Sequence, residues 1–250
     1  RLFKQIPGIE QVAVKIEDLP EFQVQAPLMS LPYILGTNLD NIPANIPYLA
    51  APSNWQFSLE SDRNLKVGIV WAGSSEHLKD VQRSCYLSYF LKLLDVVGAS
   101  FYSLQKQVSA TDLTLLNQIP VTDLSDNLND FADTAAVISQ LDLVICVDTA
   151  VAHLAGALGK TVWILLSFMP DWRWLLERED SPWYPTARRF RQQKAGDWDE
   201  VFDRIKTALQ EIAIAGNPVG AVPPCPPSTR YQALPGNADP EALPRIFLLE

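Results

Sequence analysis

The stretch LDLVICVDTAVAHLAGALGKTVWILL, residues 141–166, decides the fold. Its two apolar runs, 141–147 and 161–166, have the length and the β-branched content of buried strands. Between them, residues 149–158 repeat apolar side chains at helical spacing. A strand, a helix and a second strand in this order predict a right-handed βαβ unit with parallel strands.

The same alternation extends in both directions along the chain. Further strands are predicted at 66–73, 99–106, 121–124 and 187–192. Further helices are predicted at 87–97, 111–119, 130–141 and 198–215. Together these elements predict an α/β domain over residues 61–215, with a Rossmann-like parallel sheet and helices on both of its faces.

The segments on either side of this domain are rich in proline. Residues 1–60 contain closely spaced prolines, which exclude a long helix and favour short strands, turns and irregular packing; a strand is predicted at 11–16. Residues 216–250 lack helical or strand period and are predicted to form an extended tail.

Composition excludes several classes of function. A formal net charge of −9 argues against nucleic acid as a partner, since phosphate-backbone binding needs clustered Lys and Arg. The three cysteines are widely spaced and have no nearby metal-ligand pattern, so neither a disulfide framework nor a metal site is indicated. Without a transmembrane segment or a leader pattern in the sequence, we expect a cytoplasmic protein.

Ligands of open α/β sheets bind beyond the carboxyl ends of the strands, where the strand order reverses. In the loop at 71–84, backbone N–H groups near Gly73 and Ser74 can approach an anion, and Lys79 and Arg83 can neutralise it. The loop carries neither a dinucleotide fingerprint nor a P-loop, and a solvated connection is the alternative. His77 is predicted to lie at the surface.

The strand at 99–106 ends in a second polar pair. Lys106 stands where a cation can reach a phosphate, and Gln105 where an amide can bind a sugar or a base. The alternative for Lys106 is simple solvation.

The third candidate is the start of the helix at 149–158. Asp148 is predicted to be its N-cap, and Thr149 and His153 share a face that leans toward the crevice. Gly156 lies on the same face and leaves room for a close approach. These features fit a pyrophosphate or ribose site, and the alternative is a capped helix with a structural histidine.

Two further segments are ambiguous from sequence. In the helix at 130–141, Asp130 and Asp133 are predicted to form a cap, and Thr134 is able to line the same crevice. The aromatic segment 168–185 contributes Asp171 and Arg173 as candidate ligand contacts. Its tryptophans and Tyr184 are either packing residues or base stackers.

The motifs GIVWAGSSEHLKDVQRS, SLQK, DFADTAAVISQLDLVICVDTAVAHLAGALGKTVWILL and PDWRWLLEREDSPWYP occur in this order within residues 60–213. This arrangement resembles the C-terminal glycosyltransferase region of bacterial tetratricopeptide-repeat proteins. That region is similar to the ADP-heptose:lipopolysaccharide heptosyltransferases and, more distantly, to protein O-GlcNAc transferases. Residues 1–60 resemble the end of a preceding α/β domain and a linker.

The resemblance implies the C-terminal half of a metal-independent GT-B glycosyltransferase that needs no cofactor. It places the donor, a nucleotide-diphosphate sugar, against Asp148, Thr149 and His153, which match the family's D-[ST]-x-x-x-H element. The remaining donor contacts that it implies are Gly73, Ser74, Lys79, Arg83, Gln105 and Lys106.

By the same resemblance, the acceptor is a protein or glycan, and the acceptor-side base is expected to lie in a first domain outside this chain. We therefore expect the isolated chain to bind a nucleotide sugar and to transfer the sugar poorly. The alternatives are a catalytically silent Rossmann-like interaction module and a sugar-nucleotide epimerase or hydrolase.

Overall fold

The computed structural model describes residues 2–6, 8–13, 15–53, 55, 58–59, 63–74, 80–214 and 246–249. Its strands are β1 (Ile9–Ala13), β2 (Leu65–Val70), β3 (Ala99–Ser103), β4 (Val121–Asp123), β5 (Leu143–Val147), β6 (Val162–Leu166), β7 (Ala187–Arg191) and β8 (Ile246–Leu249). Its α-helices are α1 (Leu31–Ile34), α2 (Asp80–Arg83), α3 (Leu87–Phe90), α4 (Ala110–Leu116), α5 (Phe131–Ser139), α6 (Ala150–Ala157) and α7 (Trp198–Ile214).

Six strands form one parallel sheet in the order β4-β3-β2-β5-β6-β7. The chain adds strands outward from β2 to β4, then returns to the other side of β2 and continues from β5 to β7. The strand order therefore reverses between β2 and β5, where Val67 pairs with Leu143. This topology confirms the predicted α/β, Rossmann-like sheet.

The central strands are buried on both faces, which explains why they read as continuous apolar runs. Every residue of β5 and β6 is buried. Val144 and Cys146 point to the core formed with α5 and α6. Leu143 and Ile145 alternate with them and pack with α3 and α7 on the opposite face.

Most predicted elements of the domain are confirmed within a few residues, and one differs in type. The predicted helix at 87–97 is a four-residue α-helix, α3, that tightens into a 3-10 turn at Leu91–Leu93. Asp130 caps α5 as predicted, accepting hydrogen bonds from the N–H groups of Ala132 and Asp133 at 2.8 and 3.0 Å.

The described parts of the flanking segments carry little regular structure. Among the described residues of 15–53, the only α-helix is α1 and there is no strand. β1 overlaps the strand predicted at 11–16 and pairs in parallel with β8, which the sequence analysis did not assign. The rest of the predicted Pro-rich tail, 216–245, lies outside the described residues.

Candidate functional site

The candidate site lies at the carboxyl ends of β2 and β5, where the strand order reverses. The loop after β5 leads directly into α6, so the start of this helix faces the crevice. Arg83, from the short helix α2 that follows β2, donates from Nη1 to the carbonyl oxygen of Asp148 at 3.2 Å. The structure thus brings two of the predicted loops together.

The N-cap of α6 is Thr149, so the prediction that Asp148 caps this helix was wrong. β5 ends at Val147 and α6 begins at Ala150, so Asp148 and Thr149 form the turn between them. The N-cap is therefore one residue later than predicted. Thr149 has the extended backbone typical of an N-cap, with φ −139° and ψ 171°, yet its side chain caps no N–H group. Among the described residues, no side chain caps the first N–H groups of α6.

The hydroxyl of Thr149 is an unusual feature of this helix start. Its Oγ1 is buried and has no hydrogen-bond partner among the residues that the structure describes. An unpaired buried polar atom is costly. Thr186 Oγ1 and Trp163 Nε1 share this property, and Thr149 Oγ1 differs from them by lying at a helix start beside the switch point. An uncapped helix N-terminus next to such a hydroxyl can receive the oxygens of an anionic ligand.

His153 stands one turn into α6 within an aromatic enclosure. Its Nδ1 is 3.0 Å from the hydroxyl of Tyr184, and its ring stacks on Trp174 with 5.1 Å between ring centroids. Burial lowers the pKa of His153 below its ordinary value; nearby Asp148 opposes this shift. The imidazole is therefore neutral at pH 7.

Gly156 does leave room for a close approach, but the ring of Tyr184 takes the space. A Cβ at position 156 would lie 2.4 Å from Cγ of Tyr184. The missing side chain of Gly156 therefore allows the aromatic loop to reach His153. This corrects the expectation that Gly156 makes room for a ligand.

Polar contacts tie the loop after β2 into a compact network. The N–H of Gly73 donates to Ser84 Oγ at 3.0 Å, and Ser84 Oγ donates to Asp80 at 2.8 Å. Asp80 also pairs with Arg83 at 3.3 Å. A Cβ on Gly73 would lie 2.3 Å from Arg83 Nη2, so glycine makes room for the guanidinium group.

The other predicted residues of this loop have different outcomes. Ser74 is exposed, and Lys79 and His77 lie outside the described residues. The roles of Ser74 and Lys79 in ligand binding stay predictions.

Gln105 and Lys106 lie on the other side of β2 from α6. Gln105 is buried, and its amide makes four hydrogen bonds to the backbone: it accepts from Trp71 and Ala72 and donates to Ala72 and Gln107. Lys106 is exposed and donates to the carbonyl of Ser125, beyond β4. The structure therefore does not bring Lys106 near the start of α6, and it places Gln105 as a clamp on the loop after β2.

The aromatic segment after β6 closes one side of the site. Asp171 pairs with Arg173 at 3.2 Å, and both line a small cavity of about 50 Å³ together with Arg83 and Asp148. The two arginines face two aspartates, so the cavity has no strong net charge. Trp172 is 65% exposed and therefore accessible to a ligand, whereas Trp174 is fully buried.

A larger depression, of about 670 Å³, lies between β7 and α7, away from the switch point. Mostly acidic side chains line it, including Asp199, Glu200 and Asp203. Its negative charge does not suit a phosphate ligand.

Sequence reasoning missed three contacts that the fold creates. Thr134 is buried, and its hydroxyl donates to the carbonyl of Asp130 at 3.1 Å, so the hydroxyl is bonded to the first turn of α5. Ser84 joins Gly73 to α2, and Tyr184 joins the aromatic segment to His153. The pairing of Tyr184 with His153 joins residues 31 positions apart, for which no local signal exists.

No cluster of three or more potential metal-ligating side chains occurs in the described part of the chain. Over the same residues, no helix is both long and apolar enough to cross a membrane. The expected independence of a metal stays a prediction.

The strand order and the polar residues at its reversal define a Rossmann-like α/β domain with a candidate ligand site at the switch point. Residues 113–165, from within α4 to β6, match the family model of glycosyltransferase family 9 (heptosyltransferase). The matched region contains β5 and the start of α6 with Asp148, Thr149 and His153, whereas the loops after β2, β3 and β6 lie outside it. The match covers 53 of the 250 residues of the chain.

The chain is also similar to Protein FlbA of Caulobacter vibrioides. The two are 28% identical over 173 residues, which cover 67% of this chain and 29% of that protein. The chain thus spans less than a third of the length of this relative. No solved structure matches the chain.

Proposed function

We propose that this chain binds the nucleotide-diphosphate sugar donor of a metal-independent GT-B glycosyltransferase, as the donor-binding part of a larger enzyme. The observation that carries the proposal is the start of α6, where Thr149 buries an unpaired hydroxyl beside an uncapped helix N-terminus. The family match over residues 113–165 includes this helix.

The diphosphate is proposed to lie at the first turn of α6. The first N–H groups of a helix have no acceptor within it and carry the positive end of the helix dipole. Thr149 Oγ1 has the position and the unused donor that a phosphate oxygen needs. Together they stabilise a dianionic ligand without a full positive charge.

His153 is proposed to contact the same ligand one turn further along α6. Its pKa is lowered by burial, so the neutral ring donates one hydrogen bond and accepts another. Nδ1 is engaged with Tyr184, and none of the described residues hydrogen-bonds Nε2. A ribose hydroxyl or a phosphate oxygen is a suitable partner for Nε2.

The loops around α6 are proposed to complete the donor site. Arg83 holds the backbone of Asp148 and stands close to the diphosphate position. Gln105 supports the loop that carries Gly73 and Ser74. Lys79 is the proposed cation for the diphosphate. Lys106, which lies on the β4 side, is proposed to contact a part of the donor further from α6.

The proposed reaction breaks the bond between the anomeric carbon of the sugar and the diphosphate oxygen. An acceptor oxygen forms the new bond and loses its proton to a base outside this chain. The nucleoside diphosphate leaves with the bonding electrons, and the start of α6 stabilises its growing negative charge. The transferred group is proposed to be a hexose, a heptose or an N-acetylhexosamine, and the acceptor a protein or glycan.

Titration calorimetry with ADP, GDP and UDP, and with a sugar conjugate of whichever binds, tests the proposal on the full chain. We expect saturable binding of at least one nucleotide, weakened tenfold or more in Thr149→Val and in His153→Ala. Thr134→Val is the matched control, because its hydroxyl is already bonded to Asp130. Absence of saturable binding of every nucleotide would contradict the proposal and favour a silent interaction module.

A further inference from the structure

We propose that Tyr184 is a positioning residue that fixes the orientation and the tautomer of His153, with the proton on Nε2. This inference rests on the proposed function, because it assigns the N–H of Nε2 to the nucleotide ligand. Tyr184 belongs to the segment after β6, whereas His153 lies in α6.

The imidazole of His153 is held by contacts on two sides. The Tyr184 hydroxyl lies 3.0 Å from Nδ1, which is a hydrogen-bonding distance. The rings of Tyr184 and His153 meet edge to face, with 5.7 Å between centroids, while Trp174 stacks on the imidazole. Two aromatic contacts therefore hold the ring, and the tautomer, which is the position of its proton, is the property that the hydrogen bond determines.

The hydrogen-bonding capacity of the Tyr184 hydroxyl indicates which nitrogen of His153 carries the proton. The hydroxyl has one proton to donate, and burial together with the nearby Tyr48 side chain raises the pKa of Tyr184, so the phenol keeps this proton at neutral pH. An imidazole nitrogen is a much stronger acceptor than a phenol oxygen, so the Tyr184 proton points to Nδ1. A neutral histidine that accepts at Nδ1 carries its proton at Nε2.

Both tyrosines are held in place by the second half of α6. The N–H groups of Tyr48 and Leu49 donate to the carbonyl of Ala157 at 3.0 and 3.2 Å, which ties Tyr48 to the end of α6. Gly156 provides the gap that admits the Tyr184 ring. The helix that presents His153 thus also fixes both tyrosines.

A fixed tautomer has a direct consequence for binding. With Nδ1 satisfied by Tyr184, the ring offers one N–H donor at Nε2, and none of the described residues competes for it. A diphosphate or ribose oxygen can accept this hydrogen bond. In the opposite tautomer Nε2 would be an acceptor and would repel a phosphate oxygen.

Long-range ¹H–¹⁵N NMR of the histidine rings tests the tautomer directly in the full chain. His77 and His153 are the two histidines of the chain, so a His77→Gln background leaves one ring to observe. We expect the Nε2–H signature in the parent protein and a mixture of tautomers in Tyr184→Phe, which keeps the packing ring. Tyr89→Phe, on the opposite face beside Phe202, is the control and should leave the spectrum unchanged.

A second measurement separates this inference from the proposed function. We expect Tyr184→Phe to weaken the best-bound of ADP, GDP and UDP about three- to tenfold, the loss of one oriented hydrogen bond. An Nδ1–H signature in the parent protein, or an unchanged spectrum in Tyr184→Phe, overturns the tautomer assignment. A shifted tautomer with unchanged affinity overturns the positioning role. If the parent protein binds no nucleotide, the proposed function and the positioning role fail together, while the spectrum still decides the tautomer.

Discussion

The aromatic ring of Tyr184 lies so close to Gly156 that a Cβ there would be 2.4 Å from Tyr184 Cγ. This contact joins α6 to the segment after β6 and brings the Tyr184 hydroxyl to His153. A glycine inside a helix normally lowers stability by about 1 kcal/mol relative to alanine. Here its cost is offset by packing that no larger residue allows.

Gly156→Ala should therefore destabilise the protein despite the better helix propensity of alanine. Overpacking against Tyr184 costs about 1–3 kcal/mol and the propensity gain is about 1 kcal/mol. In a Tyr184→Ala background the same substitution should raise the free energy of unfolding by about 1 kcal/mol. Urea unfolding of the four proteins in this cycle measures both effects, and the same sign in both backgrounds would contradict the contact.

Thr149→Val should leave the free energy of unfolding unchanged or raise it by up to about 1 kcal/mol, because the buried hydroxyl has no partner among the described residues. If the Thr149 hydroxyl instead capped the helix, its removal would lower the free energy of unfolding by about 1 kcal/mol. Thr134→Val should lower the free energy of unfolding by about 1 kcal/mol, because the Thr134 hydroxyl donates to the carbonyl of Asp130. Thermal and urea unfolding compare the two, and an equal loss would show that Thr149 is a structural cap.

Gln105→Leu should lower the free energy of unfolding by roughly 2–4 kcal/mol, because it leaves the N–H groups of Trp71 and Ala72 without their acceptor. Leucine has a similar size, so packing loss contributes little. Gln107→Leu is the control, since the side chain of Gln107 is exposed. Urea midpoints of the two variants decide the case: a loss no larger than that of the control would argue against the clamp.

Stability should fall in mild acid because of His153. Its folded pKa lies below the ordinary 6.5, so the unfolded chain takes up the proton first. The contribution of His153 to the free energy of unfolding is therefore complete above about pH 6.5. It decreases as the pH falls from 6.5 toward the folded pKa. Asp148 and Asp171 favour the charged ring, while burial and Arg173 oppose it.

His153→Gln should remove this part of the pH dependence. Urea unfolding at a series of pH values between about 7.5 and 5 measures the difference between the parent protein and the variant. Parallel curves over this range would show that the pKa of His153 is not lowered by folding.

Much of the fold was predictable from local sequence. The apolar runs of β5 and β6 lie on strands buried from both sides, and only such strands read as unbroken apolar stretches. Asp130 was predictable as a cap because a capping carboxylate acts within three residues. Asp148 was misassigned because one residue of turn geometry decides which side chain occupies the cap.

The sequence by itself determined the alternation of strands and helices and the buried strands. These properties follow from periodicity over a few residues. Only the tertiary structure decided that Gln105 clamps the loop after β2, that Lys106 points toward β4, and that Tyr184 reaches His153 through the gap at Gly156. Such contacts join residues far apart in the chain, and their existence depends on how strands are ordered and on which side chains fill the space between them.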